Sequence, residues 1–228
     1  STAPRRKVLV IGWDAADWDA QLALWQRTLA PASDCTDPAY LAQPFATPAS
    51  SDLSEVTWLE DLIRRVGADV RAGDPSGAER LEHALARASD PWRRARAEVE
   101  LGIARLSRGD EAAARARFAA ATADADAAGD DFLAADAWRW LVFVTAAGPT
   151  PGDALVQLPH AEAKLRRVGQ DAGPRMVDLQ LSAAWAELRT GDPGAAHRRL
   201  AGALQRTTGV DEPLAARVLR QQAELAHQ

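Results

Sequence analysis

Cysteine, tyrosine and methionine each occur once in these 228 residues, and phenylalanine only four times. A single cysteine excludes an internal disulfide, which fits a reducing compartment, and the chain is expected to be cytoplasmic. The neighbours of Cys35 include Asp34 and Asp37, carboxylates that raise a thiol pKa, so Cys35 reads as a passive side chain and not a nucleophile. Long basic runs are missing as well: Arg5-Arg6-Lys7 and Arg93-Arg94 with Arg96 are the longest, and the net charge is −5. Neutralising phosphates needs clustered cations, so no nucleic-acid partner is expected. No apolar run approaches a membrane span, so no membrane association is expected either, and Asp14 and Asp17 interrupt the signal-like stretch that begins at Arg5. The histidines His83, His160, His197 and His227 lie far apart with none at metal-ligand spacing, so no metal and no cofactor are expected.

What is present is alanine, in helical order. Ala114-Phe118-Ala121, Ala154-Leu158-Ala161 and Ala196-Leu200-Ala203 share steps of 4 and 3, which keep all three side chains on one helix face. The small-large-small order lets a neighbouring helix approach at both ends of a bulky knob. Each trio follows a Gly-Asp pair: Gly109-Asp110, Gly152-Asp153 and Gly191-Asp192. The trios recur after 40 and 42 residues. Recurrence on this scale predicts a repeat array, which presents a surface rather than a catalytic pocket.

Three zones follow from composition. Residues 1–30 carry the apolar run Val8-Leu9-Val10-Ile11 and then Trp18, Leu22, Trp25 and Leu29, spaced as one face of an amphipathic helix. Residues 31–51 hold Pro31, Pro38, Pro44 and Pro48, a density that blocks a long helix and marks a linker. Residues 52–228 read as antiparallel helical hairpins. Gly73-Asp74-Pro75 separates a helix at 53–71 from a return helix bearing Ala78, Leu81, Ala84 and Leu85, and Asp90-Pro91 opens the next. Gly109 and Gly129 delimit one helix, Asp130 or Asp131 caps 132–147, and Gly148-Pro149-Thr150-Pro151-Gly152 ends it. A return helix at 154–168 follows, then hairpin helices at 174–190 and 193–207, and Glu212-Pro213 opens a final polar helix. The fold class expected is all-α, an α-solenoid preceded by an N-terminal helix and a Pro-rich linker.

Eight tryptophans are many for this length. Trp18, Trp25, Trp58, Trp138 and Trp185 fall on apolar stripes and are expected in the core. Trp92 stands at a helix start, while Trp13 and Trp140 lie off the faces of Trp18 and Trp138, where some indole surface is expected to be accessible. Phe118 is expected to be buried and Arg117 exposed.

The hairpin with Leu101-Gly102, Leu106, Gly109-Asp110, Ala114, Phe118 and Ala121 resembles a tetratricopeptide repeat, and Ala183 to Ala203 follows with Ala-Ala in place of Leu-Gly. The linker around Cys35-Thr36-Asp37-Pro38-Ala39-Tyr40-Leu41, and Gly129-Asp130-Asp131-Phe132-Leu133 with its continuation, are similar to the tails of bacterial serine/threonine kinases. The catalytic motifs of a kinase are absent from the sequence. The resemblance implies a non-enzymatic scaffold, a sensory or docking module that binds a protein or peptide, or another domain of the same longer protein. In the register it implies, the first helix of each hairpin lines the binding face. That puts Arg96, Val99 and Ile103, then Arg139 and Phe143, then Asp178, Leu181, Trp185 and Arg189 on it. Arg96, Ile103, Arg139, Trp185 and Arg189 are the candidate partner-binding residues. No feature of the pattern sets an oligomeric state. The alternative comes from Lys7 to Trp18, which resembles the opening strand of alkaline-phosphatase-superfamily phosphodiesterases, where Asp14 would correspond to a metal ligand. The other ligands such a site needs are not evident in the sequence, so a structural role for this segment is preferred.

Overall fold

The structure, a computed structural model, describes residues 53–72, 74–86, 88, 90–171, 173–207, 215 and 218–220. All belong to one unit, Phe45–Gln228. The expected N-terminal helix, the Pro-rich linker, Cys35, Asp14 and the helix start at Glu212-Pro213 lie outside the described residues. Among the described residues the chain is all-helical, with no strand.

The helices are α1 (Leu53–Arg71), α2 (Ala78–Leu85), α3 (Pro91–Ser107), α4 (Glu111–Ala128), α5 (Asp131–Ala147), α6 (Pro151–Arg167), α7 (Pro174–Arg189) and α8 (Pro193–Thr207), with a 3-10 turn at Pro75–Gly77 before α2. Aspartate side chains start four of them. Asp90, Asp110, Asp130 and Asp192 accept from the main-chain N–H of Arg93, Ala113, Leu133 and Ala195, each satisfying a donor that the first turn leaves without a helical partner. Left-handed glycines end four of them: Gly109, Gly129, Gly169 and Gly191 all have φ between 69° and 89°. In each the following N–H reaches back to a carbonyl five residues earlier, as Asp110 does to Arg105 at 3.0 Å. Two of the three Gly-Asp pairs noted in the sequence are therefore stop-and-start signals. Gly152-Asp153 is not, because it lies inside the first turn of α6, where Pro151 has already begun the helix. The matching turn between α4 and α5 is Gly129-Asp130.

Each helix packs on the next, and α5 also packs on α3 and on α7. Contacts run antiparallel within hairpins. Arg94 near the start of α3 meets Asp124 near the end of α4, and Glu98 meets Arg117. Likewise Asp131 at the start of α5 meets Lys164 late in α6. The three trios are the knobs of this packing: all nine side chains are buried, and Phe118 and Leu200 are fully so. Opposite Phe118 stands Gly102, where an added Cβ would lie 2.4 Å from the ring. Leu200 is buried in one cluster with Ala184 of α7.

Three side chains depart from expectation. Trp58 is 49% exposed. It sits one residue, about 100° of helix rotation, before Leu59, and the inward face of α1 is formed by Leu59, Leu62, Ile63, Val66 and Val70. Trp185 is 40% exposed, for a reason given below. Arg117 is not an exposed repeat residue: it bridges Glu82 of α2 at 3.1 Å and Glu98 of α3 at 3.2 Å, and the Glu98 side chain is only 7% exposed.

Candidate functional site

A cleft of about 490 Å³ opens between α5 and α7. Its walls come from Arg139, Trp140 and Phe143 on α5 and from Asp178, Leu181, Ser182 and Trp185 on α7. These positions are spaced by three and four residues, so each helix turns one stripe toward the other. Phe143 and Trp185 stay 41% and 40% exposed, large aromatic surfaces facing the same space. Volume, aromatic walls and a few polar groups match the general make-up of a ligand site.

The polar end of the cleft is built on Arg139. Its Nη2 donates to Asp136 Oδ1 at 2.9 Å and its guanidinium lies 4.5 Å from the centre of the Trp140 ring. Its Nη1 stands 3.9 Å from Asp178 Oδ2, beyond hydrogen-bond distance. Ser182 Oγ donates to the Asp178 carbonyl at 2.9 Å, the bond a helical serine makes to the preceding turn.

Of the candidate residues, Arg139 and Trp185 come together here, joined by Phe143, Asp178 and Leu181 of the same register. Arg189 lies at the end of the cleft with its charge already engaged: Nη1 donates to the carbonyls of Ala146 and Gly148, each at 2.7 Å, and of Ala147. Arg96 and Ile103 belong to α3 and line no part of the cleft. Arg96 lies 4.7 Å over the Trp92 ring, and Ile103 packs beside Phe118, Trp138 and Trp140. Trp92 is fastened by its own donor, Nε1 to Asp130 Oδ2 at 2.8 Å, which ties the start of α3 to the cap of α5.

The cleft itself was missed in the sequence, although a signal for it exists. Matching Gly102, Val142 and Ala184 as equivalent positions aligns the first helices, and Trp140 then corresponds to Ser182. Trp140 stacks on Phe118 of the preceding hairpin, with ring centres 5.7 Å apart and planes at 8°, and packs beside Ile103 of α3. It fills the space between α3 and α5. Ser182 is too small to fill the corresponding space between α5 and α7, which leaves Phe143 and Trp185 uncovered.

Ionisable groups elsewhere form a second constellation that binds helices rather than ligands. Glu82 accepts from Arg105 and Arg117, and Glu98 also accepts from Arg117. Burial pushes the Glu98 carboxyl above its usual range, with Arg117 opposing. Burial acts the same way on Glu82, but two guanidiniums outweigh it and hold that carboxyl below its usual range. The same plan recurs at α7 and α8, where Arg199 bonds Glu187 and Gln180, and Gln180 reaches Glu162 at 2.9 Å.

Among the described residues no group of three or more His, Cys, Asp or Glu side chains could hold a metal ion, and no helix is long and apolar enough to cross a membrane. No family model, curated protein or solved structure matches the chain.

Proposed function

We propose that this chain is a non-enzymatic interaction scaffold whose hairpins stack as a tetratricopeptide-like solenoid and take a peptide or protein segment between α5 and α7. The observation that carries this reading is the pair Phe143 and Trp185, two large aromatic side chains left about two-fifths exposed across one cleft. Aromatic side chains in a concave, partly desolvated site are the usual anchors of protein recognition. The succession of antiparallel hairpins with buried small-large-small trios supports the solenoid form. The resemblance of the linker and of α5 to kinase tails makes a docking module of a cytoplasmic signalling protein the fitting context.

The test is selection of displayed peptides against the full chain, followed by titration of the selected peptides into wild type and a Phe143→Ala/Trp185→Ala double variant. Because both side chains are substantially exposed, the double variant is expected to fold, as circular dichroism can check. Peptides should bind the wild type and lose most of their affinity in the variant. Selected peptides that bind both proteins equally would place the binding face elsewhere.

A further inference from the structure

The space between α3 and α5 is filled from within the chain, and its filler is an indole. Trp140 stacks on Phe118 at 5.7 Å, meets Phe143 edge-on at 5.8 Å, and shares its cluster with Ile103. One hairpin later these three neighbours become Leu158, Trp185 and Phe143, and the filler becomes Ser182. Phe143 and Trp185 line the open cleft, and Leu158 is buried in the adjoining core. The pocket is thus equivalent to one that an indole occupies, with the indole removed.

Resting on the scaffold reading above, we propose that the cleft between α5 and α7 receives an aromatic side chain, by preference tryptophan, from the bound segment. The incoming ring takes the place that Trp140 holds one hairpin earlier, between Phe143 and Trp185 and against Leu181. The walls favour an aromatic over an aliphatic anchor. Phe143 and Trp185 are aromatic, and ring pairs in edge-on or offset arrangements gain beyond the area they bury. Arg139 Nη1, 3.9 Å from Asp178, is placed to donate to a main-chain carbonyl of the bound segment, whichever side chain that segment carries.

The probe is N-acetyl-L-tryptophanamide, compared with N-acetyl-L-leucinamide, titrated into the full chain labelled with nitrogen-15. The indole N–H signals of Trp185 and Trp140 report the cleft. Tryptophanamide is expected to shift both saturably, and to bind about three- to tenfold more tightly than leucinamide. Ser182→Trp supplies the missing indole in the chain itself and is expected to abolish the saturable shift. Should that variant not fold, Trp185→Ala, which removes an exposed wall, takes its place and should weaken the probe. Equal affinity for the two amides, a saturable shift that survives in a folded Ser182→Trp protein, or undiminished probe affinity in the Trp185→Ala protein overturns the proposal. The two readings fail separately. Selected peptides without an aromatic residue that still require Phe143 and Trp185 would leave the scaffold standing and remove the aromatic receptor. Tryptophanamide binding at the cleft with no peptide selected would do the reverse.

Discussion

Arg189, the last residue of α7, donates from Nη1 to the carbonyl of Gly148 at 2.7 Å and to those of Ala146 and Ala147, closing the end of α5 from another hairpin. The need arises from Pro149. The other hairpin helices α3, α4, α6 and α7 end in a left-handed glycine followed by a residue whose N–H folds back onto the helix. After Gly148 comes proline, which has no N–H to give and which holds the residue before it extended, as the Gly148 angles φ −74° and ψ −171° show. The guanidinium supplies the missing donors and opposes the negative end of the helix dipole.

Arg189→Ala is therefore expected to lower stability by about 1–2 kcal/mol, and Arg189→Lys to recover only part of it, since the ammonium is more strongly hydrated and sits on a stem of different reach. Pro149→Ala restores the absent N–H and should shrink the cost of Arg189→Ala. Denaturant midpoints of the wild type, the Arg189→Ala and Pro149→Ala variants and their double variant check the argument. An Arg189→Ala cost that is the same with and without the Pro149→Ala change would break the link between the two residues.

Gly102 and Phe118 form a matched pair. A methyl at 102 would sit 2.4 Å from the Phe118 ring, so Gly102→Ala should cost about 1–3 kcal/mol by overpacking. Adding Phe118→Leu gives the alanine-leucine combination that Ala184 and Leu200 make in the cluster of α7 and α8, and should recover most of that loss. Phe118→Ala alone empties a fully buried site and should cost about 3–5 kcal/mol. Thermal or urea unfolding of the single and double variants measures the coupling; simple additivity would mean that the two residues do not meet as described.

Helix positions were legible because their signals are local. Asp90-Pro91, Gly109-Asp110 and Gly129-Asp130 each name a stop or a start through the chemistry of one or two residues. The trios were legible because spacing alone puts Ala114, Phe118 and Ala121 on one face. Side chains whose environment depends on a distant helix were less so. Whether Trp185 is covered depends on which side chain stands at 182, and Arg117 looks like a surface cation until Glu82, 35 residues away, is brought beside it. The repeat register puts Arg189 on the binding face, but its charge is already used by the end of α5, a contact no local pattern announces.

Arg117 gives a direct measure of that hidden interaction. Changing it to alanine leaves the nearly buried Glu98 carboxylate without its guanidinium and takes one of two from Glu82. The expected cost is about 1–3 kcal/mol, the penalty for an uncompensated buried acceptor. That exceeds the few tenths typical of a surface change. A urea-midpoint shift no larger than that of Arg64→Ala, an exposed arginine on α1, would return Arg117 to the surface class.

The two carboxylates around Arg117 should respond to pH in opposite directions. The Glu98 carboxyl is raised above the ordinary 4.5 by burial, against the pull of Arg117. Between 4.5 and that raised value the folded state holds more protons than the unfolded state. Its contribution is therefore full below 4.5 and is lost as pH rises through the window. Glu82, also penalised by burial but held down by Arg105 and Arg117, behaves the other way: its contribution is present above 4.5 and is lost as pH falls through its lowered value. Glutamine imitates the protonated acid at either position. Relative to the wild type, Glu98→Gln should accordingly be more favourable at neutral pH than in acid, and Glu82→Gln less favourable at neutral pH than in acid. Urea denaturation of the three proteins at neutral pH and just below the ordinary carboxyl range reads both differences, because whatever else acid does to the chain is common to all three and cancels. Variants that change in the same direction would mean that Arg117 serves the two carboxylates alike, and that the burial of Glu98 does not set it apart from Glu82.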